Sequence, residues 1–208
     1  MKQIVIIFAL FVVITACDKS EYDLEKSIYV PDDEYNALPA YTEWGYNTFG
    51  AFYERKLFIF NDAEIPAKVI HTDNLAKFIL TGSLLEPSPY VVYNGFSYYG
   101  PTMSLSFDLP DFHPETYEDL IDLNNKTFDL TDPNLNVTAV VGPDTLDMGI
   151  FNGQLQFRKA QHLLVDKQPI NVILSGYFGF QALVNGKPIS MAHGRFDVGI
   201  DEYDFARY

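Results

Sequence analysis

Cysteine is almost absent from this chain of 208 residues, which contains only one, Cys17. A single thiol excludes an internal disulfide, so the fold must rest on its hydrophobic core. Positive charge is also scarce, because 14 lysines and arginines stand against 28 aspartates and glutamates, a formal net charge of −14. A surface this acidic repels polyanions, which argues against a nucleic-acid partner.

Motifs of catalysis and cofactor binding are missing as well. The sequence contains neither a G-x-S-x-G elbow nor a phosphate-binding glycine pattern. Metal-ligand spacing is absent among the four histidines, His71, His113, His162 and His193. The segment Asp132-Pro133-Asn134-Leu135-Asn136 begins like a calcium loop, but Val137 and Pro143 stand where such a loop needs Gly and Glu. We therefore expect no enzyme, no metal and no cofactor, and a simple turn at Asp132.

One apolar run, residues 4–14, follows Lys2 near the start of the chain. Its 11 residues are too few for a spanning helix, which needs about 20, but they match the apolar region of a secretory signal. The run ends in Ile14-Thr15-Ala16-Cys17, which resembles the bacterial lipobox. That resemblance implies a diacylglycerol on the Cys17 thiol, cleavage before Cys17 and acylation of the new amino group. Several acyl chains give stable anchoring in a membrane. An ordinary signal peptide and an uncleaved anchor are the alternatives.

The lipobox resemblance predicts that the chain has three parts. We expect a lipoprotein signal peptide over 1–16, a lipidated Cys17 with a flexible acidic tether over 17–43, and a β domain over 44–208. The tether begins Asp18-Lys19-Ser20-Glu21, which resembles the export signal of surface lipoproteins in the Bacteroidota. The expected location is the cell envelope, with the lipid anchor in the outer membrane. An enterobacterial sorting rule would instead read Asp18 as inner-membrane retention.

The β domain is predicted to be all-β. Hydrophobic residues make up 48% of the chain and aromatic residues 15%, and Met103 to Leu109 alternates apolar and polar side chains like a half-buried strand. Asn-Gly pairs at 94–95, 152–153 and 185–186 predict tight hairpin turns. Strands do not alternate with helices, so we expect a single antiparallel β-sandwich or flattened barrel. One short helix is predicted over 114–123, with Tyr117, Leu120 and Ile121 as its buried stripe.

Two stretches carry a family resemblance. They are Asn47 to Tyr53 (NTFGAFY) and Leu174 to Phe180 (LSGYFGF), the second followed by Gly194 to Val198 (GRFDV). Together they resemble small Bacteroidota lipoproteins grouped under domains of unknown function, although Tyr177 and Gly179 stand where small polar residues are commoner. The resemblance implies a lipoprotein with a β fold and brings no catalytic set. The strand glycines Gly50, Gly176 and Gly194 predict bulges or close backbone approach.

Candidate contact residues are few. Tyr93, Tyr98 and Tyr99 lie in the tyrosine-rich hairpin 90–99 and are candidates for stacking on sugars. Thr145, in Asp144-Thr145-Leu146, resembles an O-glycosylation acceptor. Arg195 and Asp197 are predicted to form a surface ion pair. The sole tryptophan, Trp44, is expected to pack.

These observations lead to one leading function and two rivals. We expect a lipid-anchored envelope protein that serves as a structural or protein-interaction module and contacts the membrane through Cys17. The alternative is a surface glycan-binding lipoprotein that uses the hairpin 90–99. An enzyme with a dispersed acidic site ranks last, because no catalytic motif supports it.

Overall fold

The computed structural model describes residues 27–61, 65–72, 75–86 and 100–207. The signal peptide over 1–16, Cys17 and the hairpin 90–99 with Tyr93, Tyr98 and Tyr99 lie outside the described residues. In the described ranges, no helix has the length and apolar character needed to cross a membrane.

Twelve strands and one short helix make up the described part of the fold. The strands are β1 (Thr48–Tyr53), β2 (Lys56–Phe60), β3 (Ala67–Thr72), β4 (Leu75–Leu85), β5 (Thr102–Leu109), β6 (Thr127–Asp129), β7 (Val137–Val141), β8 (Asp144–Asp147), β9 (Gly149–Val165), β10 (Gln168–Val184), β11 (Lys187–Ile200) and β12 (Phe205–Arg207). The helix, Tyr117–Leu123, lies between β5 and β6.

The strands form one curled sheet with the order β6-β9-β10-β11-β1-β2-β4-β5-β7-β8. The sheet is antiparallel and curls into a half-barrel, which confirms the all-β prediction. β3 lies off this path on β4, and its pairing with β12 is parallel.

Phenylalanine rings fill the inner side of the half-barrel. Phe78, Phe157 and Phe196 form a triangle with ring centroids 5.2 to 5.4 Å apart. Phe107 and Phe178 extend the cluster at a centroid distance of 5.8 Å. Edge-to-face contacts of this kind stabilise a core beyond simple area burial, so the curl closes around an aromatic centre.

Gly176 marks a place where β9 and β10 approach too closely for a side chain. The register of this pair shifts between Ser175 and Gly176. A Cβ added at Gly176 would lie 1.9 Å from the carbonyl oxygen of Gln156 and 2.7 Å from Cζ of Phe196. Register shifts also occur beside Gly50 and opposite Gly194, so the prediction of bulges at these three glycines is confirmed.

The predicted helix exists, but it is a 3₁₀ helix and begins three residues later than expected. Asp119 accepts hydrogen bonds from the backbone N–H of Glu115 and of Thr116, which fixes the start after Thr116. Three residues per turn place Tyr117, Leu120 and Leu123 on one face. Leu120 and Leu123 are accordingly buried. The prediction of Ile121 in the buried stripe was wrong, because it assumed 3.6 residues per turn and Ile121 is 36% exposed.

One strand, β9, continues through a predicted turn. β9 runs through Asn152-Gly153, where a turn was expected, and Gly153 (φ 159°) pairs with Phe180 of β10. The register shift in this part of β9 falls one residue before the dipeptide, at Phe151. Asn185-Gly186 does form the expected turn between β10 and β11, with positive φ at both residues. The same dipeptide therefore forms a turn in one place and two paired strand residues in another.

Residues 27–46, here called the strap, lie against the outer side of the sheet. Leu38 in the strap is fully buried, and Pro39 and Leu38 are the nearest side chains to Gly50 of β1. The expected boundary between a flexible tether and the β domain was at residue 44. In the structure, the described part of that tether, from residue 27 onward, packs with the β domain. Trp44 corrects a second expectation: its side chain is 71% exposed and does not pack.

Candidate functional site

The outer face of β9, β10 and β11 is the side of these strands that points away from the phenylalanine core. Along β10 it presents Tyr177, Gly179 and Gln181, since alternate residues share a face. Their partners on β9 are Gln156, Gln154 and Asn152 in the same order. On β11, Arg195 lies opposite Tyr177 and Ser190 opposite Gln181. The strap covers one part of this face and leaves the other open.

Asp197 holds the strap down. Its side chain is 1% exposed and belongs to the covered part of the outer face. It accepts hydrogen bonds from the Oγ1 of Thr42, from the backbone N–H groups of Trp44, Gly45 and Tyr46, and from the Oγ of Ser175. The Gly45 N–Oδ1 distance is 2.8 Å and the Ser175 Oγ–Oδ1 distance is 3.0 Å. A carboxylate saturated in this way is a structural anchor and is not available to a ligand.

Arg195 binds the strap at a second point. Its guanidinium forms an ion pair with Asp32, and its Nε–H donates to the carbonyl oxygen of His193. The prediction of a surface ion pair between Arg195 and Asp197 was wrong: both side chains are buried, and each bonds to the strap. Partial burial works against the charged form of Asp32, but the hydrogen bond from Tyr35 N–H and the Arg195 charge lower the pKa of Asp32 below its usual value.

Two stacked tyrosines mark the border between the covered and the open parts. The rings of Tyr41 in the strap and Tyr177 in β10 lie 4.5 Å apart at an interplanar angle of 24°. Tyr41 donates its hydroxyl hydrogen to Oε1 of Glu43 at 2.8 Å. Burial, followed by that hydrogen bond, raises the pKa of Tyr41, so its ring stays neutral at ordinary pH. Tyr177 remains 38% exposed and forms a preformed aromatic wall.

The open part of the outer face contains a groove of about 430 Å³, here called the amide groove. Asn152, Gln154, Gln181 and Ser190 provide its polar lining, and Gly179 leaves its floor without a side chain. Asn152 and Gln181 lie 3.5 Å apart between Nδ2 and Oε1. Tyr177 is two residues from Gly179 along the same face, about 7 Å away. Tyr177 is not one of the residues that line the groove, but it lies on the same face just beyond the groove's Gly179 end.

The side chains that line the amide groove are uncharged. None of the described residues that line it carries a formal charge, in a chain whose net charge is −14. Each side-chain amide offers two N–H donors and one carbonyl acceptor. A ligand rich in hydroxyl groups, each both donor and acceptor, matches such a lining. The aromatic wall adds a surface on which an apolar ring face can stack.

A second groove of about 460 Å³ lies beside the 3₁₀ helix. Asp111, Asp122 and Lys126 are among its lining residues, so its charges are mixed. Phe112 and Phe128 are its aromatic lining residues. The two grooves are of similar size, and the amide groove differs from the second one in its uncharged lining.

The remaining candidates from the sequence have separate positions. Thr145 lies exposed in β8 at the edge of the sheet, remote in the strand order from the amide groove. His71 and His113 are 42 positions apart in the sequence, but their ring centroids lie 6.4 Å apart. Nδ1 of His71 has no hydrogen-bond partner among the described residues. Within those residues, no group of three or more His, Cys, Asp or Glu side chains is arranged to hold a metal ion.

Sequence reasoning missed the amide groove. Its signal was present as Asn152, Gln154 and Gln156, three amides at alternate positions that share one face of a strand. The turn predicted at Asn152-Gly153 concealed that alternation, because it ended the strand inside the pattern.

The chain matches no protein-family model, no curated protein and no solved structure.

Proposed function

We propose that this protein is a lipid-anchored envelope protein that binds an uncharged glycan in the amide groove. The observation that carries the proposal is the uncharged amide lining of the groove, with the exposed ring of Tyr177 on the same face beyond the Gly179 end. This is the glycan-binding alternative of the sequence analysis, moved from the hairpin 90–99 to the outer face of β9–β10–β11.

Three properties of the groove favour a glycan over a charged metabolite. The lining contains no charged side chain that could offset the cost of desolvating an ionic ligand. The amides lie on paired strands, so their spacing is held by the sheet. Tyr177 is held by its stack on Tyr41 and loses little freedom when a ring packs against it. A neutral oligosaccharide needs no charged partner, can hydrogen-bond to the evenly spaced amides, and can stack a sugar ring on Tyr177.

The anchor is proposed from the sequence around Cys17. The apolar run over 4–14 and Thr15-Ala16-Cys17 support acylation at that cysteine and attachment to the outer membrane. We propose no catalytic step, because the groove lining contains neither a nucleophile paired with a base nor two carboxylates. The domain would then hold its glycan at the membrane surface.

A second candidate is a structural or protein-interaction module that uses the same face. Phe151 and Leu183 are 54% and 48% exposed and lie next to Asn152 and Gln181 on β9 and β10. Exposed apolar side chains beside a polar groove are also found at contacts between proteins. In that case the groove would receive a partner's side chains.

A glycan array of neutral and acidic oligosaccharides, probed with the chain from Cys17 onward, tests the leading proposal. We expect signal from neutral glycans and little from acidic ones. Tyr177→Ala and Gln181→Ala should each weaken binding about tenfold, which corresponds to about 1.4 kcal/mol. Gln168→Ala is the matched control, because Gln168 is an exposed amide at the far end of β10.

Two results would reject the glycan proposal. One is an array on which the protein binds no neutral glycan. The other is glycan binding that is unchanged in both Tyr177→Ala and Gln181→Ala. If envelope extract instead yields one partner protein that is lost in Phe151→Ser, the protein-interaction function replaces it.

A further inference from the structure

The hairpin that joins β9 to β10 ends in exposed apolar side chains. Leu163, Leu164, Val165 and Ile170, here called the apolar tip, are 37%, 57%, 51% and 45% exposed. The turn between them is Asp166-Lys167, with φ values of 52° and 68° that match a tight hairpin turn. Large aliphatic side chains grouped at a protruding turn indicate a surface that meets something apolar.

The strap enters the fold at the same end of the sheet. The backbone N–H of Ile28 donates to the carbonyl oxygen of Tyr46 at 2.9 Å, just before β1 begins. The start of β1 pairs with the end of β11, and the end of β11 pairs with the start of β10. The start of β10 is one arm of the β9–β10 hairpin. The first described residue, Ser27, therefore lies at the end of the sheet that carries the apolar tip.

Trp44 belongs to this end as well. The side-chain amide of Gln161 in β9 donates to the carbonyl oxygen of Glu43 at 2.8 Å, which places Trp44 next to the base of the hairpin. Ile173 of β10 lies against Gly45. Trp44 is nevertheless 71% exposed. An indole combines an apolar ring with one N–H donor, which suits the boundary between water and lipid.

We propose that the apolar tip and Trp44 contact the interface of the bilayer to which the chain is attached. The inference rests on the lipid anchor of the proposed function. Nine residues, and therefore ten Cα–Cα steps, separate Cys17 from Ser27. Even fully extended, they reach about 35 Å. An anchor at Cys17 therefore keeps this end of the domain close to the lipid, and the apolar tip is the part of it suited to enter the headgroup region.

The charges around the apolar tip select the kind of lipid. Asp201 and Glu202 follow β11 at this end, and Glu118 lies in the helix whose Tyr117 hydroxyl bonds to the carbonyl oxygen of Pro169. The turn of the apolar tip itself adds one charge of each sign, Asp166 and Lys167, so the three carboxylates leave this end negative. They repel an anionic surface at low ionic strength. The contact therefore favours zwitterionic lipid, and anionic lipid should weaken it.

The single cysteine and the single tryptophan permit a direct test. The chain from Cys17 onward, without acylation, is coupled through its thiol to a maleimide lipid in phosphatidylcholine vesicles. Because Trp44 is the only tryptophan, all tryptophan emission reports on it. We expect bromine-labelled acyl chains to lower that emission roughly twofold, as for an indole at the headgroup boundary. Added phosphatidylglycerol at low salt should reduce the quenching.

Two variants with unchanged melting temperatures complete the test. Leu164→Asp with Val165→Asp should abolish the quenching, while Phe151→Asp, at the opposite end of β9 and similarly exposed, should retain it. Equal Trp44 emission with and without bromine overturns the inference. So does sedimentation of a dimer that the tip variant dissociates, because the tip would then face a second copy. Coupling imposes the attachment, so failure here leaves the natural anchor, read from the mass of the native chain, unaffected.

Discussion

At the scale of single residues, the clearest feature is the carboxylate of Asp197, which is buried although the sequence predicted it to be exposed. Phe196 and Val198 are buried core residues that alternate with Arg195 and Asp197 along β11. The same alternation assigned Arg195 and Asp197 to an exposed face. That assignment failed because the strap, some 150 positions away in the sequence, covers the face. A period of two reveals which residues share a face but not what lies against it.

Asp197→Ala should be strongly destabilising. The substitution leaves three backbone N–H groups and two hydroxyl groups without their acceptor. Buried donors without partners cost free energy, so we expect the free energy of unfolding to fall by about 3 kcal/mol or more. Urea denaturation measures it, with the exposed Glu202→Ala as control. A loss below about 1 kcal/mol would show that the strap does not depend on Asp197.

Asp204 should make the fold more stable at mildly acidic pH. Burial, aided by the charge of Asp201, raises the pKa of Asp204 from 3.8 to about 6. Between these values the folded state binds a proton that the unfolded state releases, so stability falls as pH rises through this window. Asp204→Asn should remove that slope and raise stability at pH 8 by about 1 kcal/mol, after discounting for partial exposure. Urea melts at pH 4.5 and 8 measure both effects. An unchanged pH slope in the variant would contradict this assignment.

At the scale of elements, the sequence predicted the all-β class and misjudged the strap. Strand positions follow from alternating and β-branched or aromatic residues, which are local signals. The strap has no such pattern, because it contributes single buried residues such as Leu38 between polar ones. Its acidic composition indicated a tether, whereas its structure depends on long-range bonds to Asp197 and Arg195.

Leu38→Ala tests whether the strap is part of the cooperative fold. Leu38 is fully buried over β1, so truncation leaves a cavity and should cost about 3 kcal/mol in the free energy of unfolding. Limited proteolysis should also cut within residues 27–46 earlier than in the wild type. Val30→Ala, at a position 41% exposed, is the matched control and should change little. Equal stability and equal protease resistance of the two variants would mean that the strap is held by its polar contacts alone.

At the scale of the whole molecule, the proposed membrane contact and the proposed binding face lie toward opposite ends of one strand pair. The apolar tip and the chain entry lie at one end of the β9–β10 pair, while the amide groove lies toward the other. The all-β class was accessible from the sequence because composition and alternation report it. The groove was not, because it depends on the register of three strands and on the side chain that Gly179 lacks.

Attachment through Cys17 predicts a simple partitioning result. The native chain should enter the detergent phase of a phase-separating detergent extract, because several acyl chains hold it there. Cys17→Ala, which removes the acylated thiol, should lose the lipid mass and the cleavage before residue 17. A native mass without acyl groups would exclude the anchor.

The binding face is tested most directly by nuclear magnetic resonance on the side-chain amides. The labelled chain from Cys17 onward is titrated with neutral hexasaccharides of glucose, mannose and xylose, and the NH₂ signals of Asn152, Gln154 and Gln181 are followed. Our account predicts that these three signals shift together with at least one of the sugars, and that Gln168 does not shift. Unchanged groove amides with every sugar, or shifts confined to residues elsewhere, would contradict it.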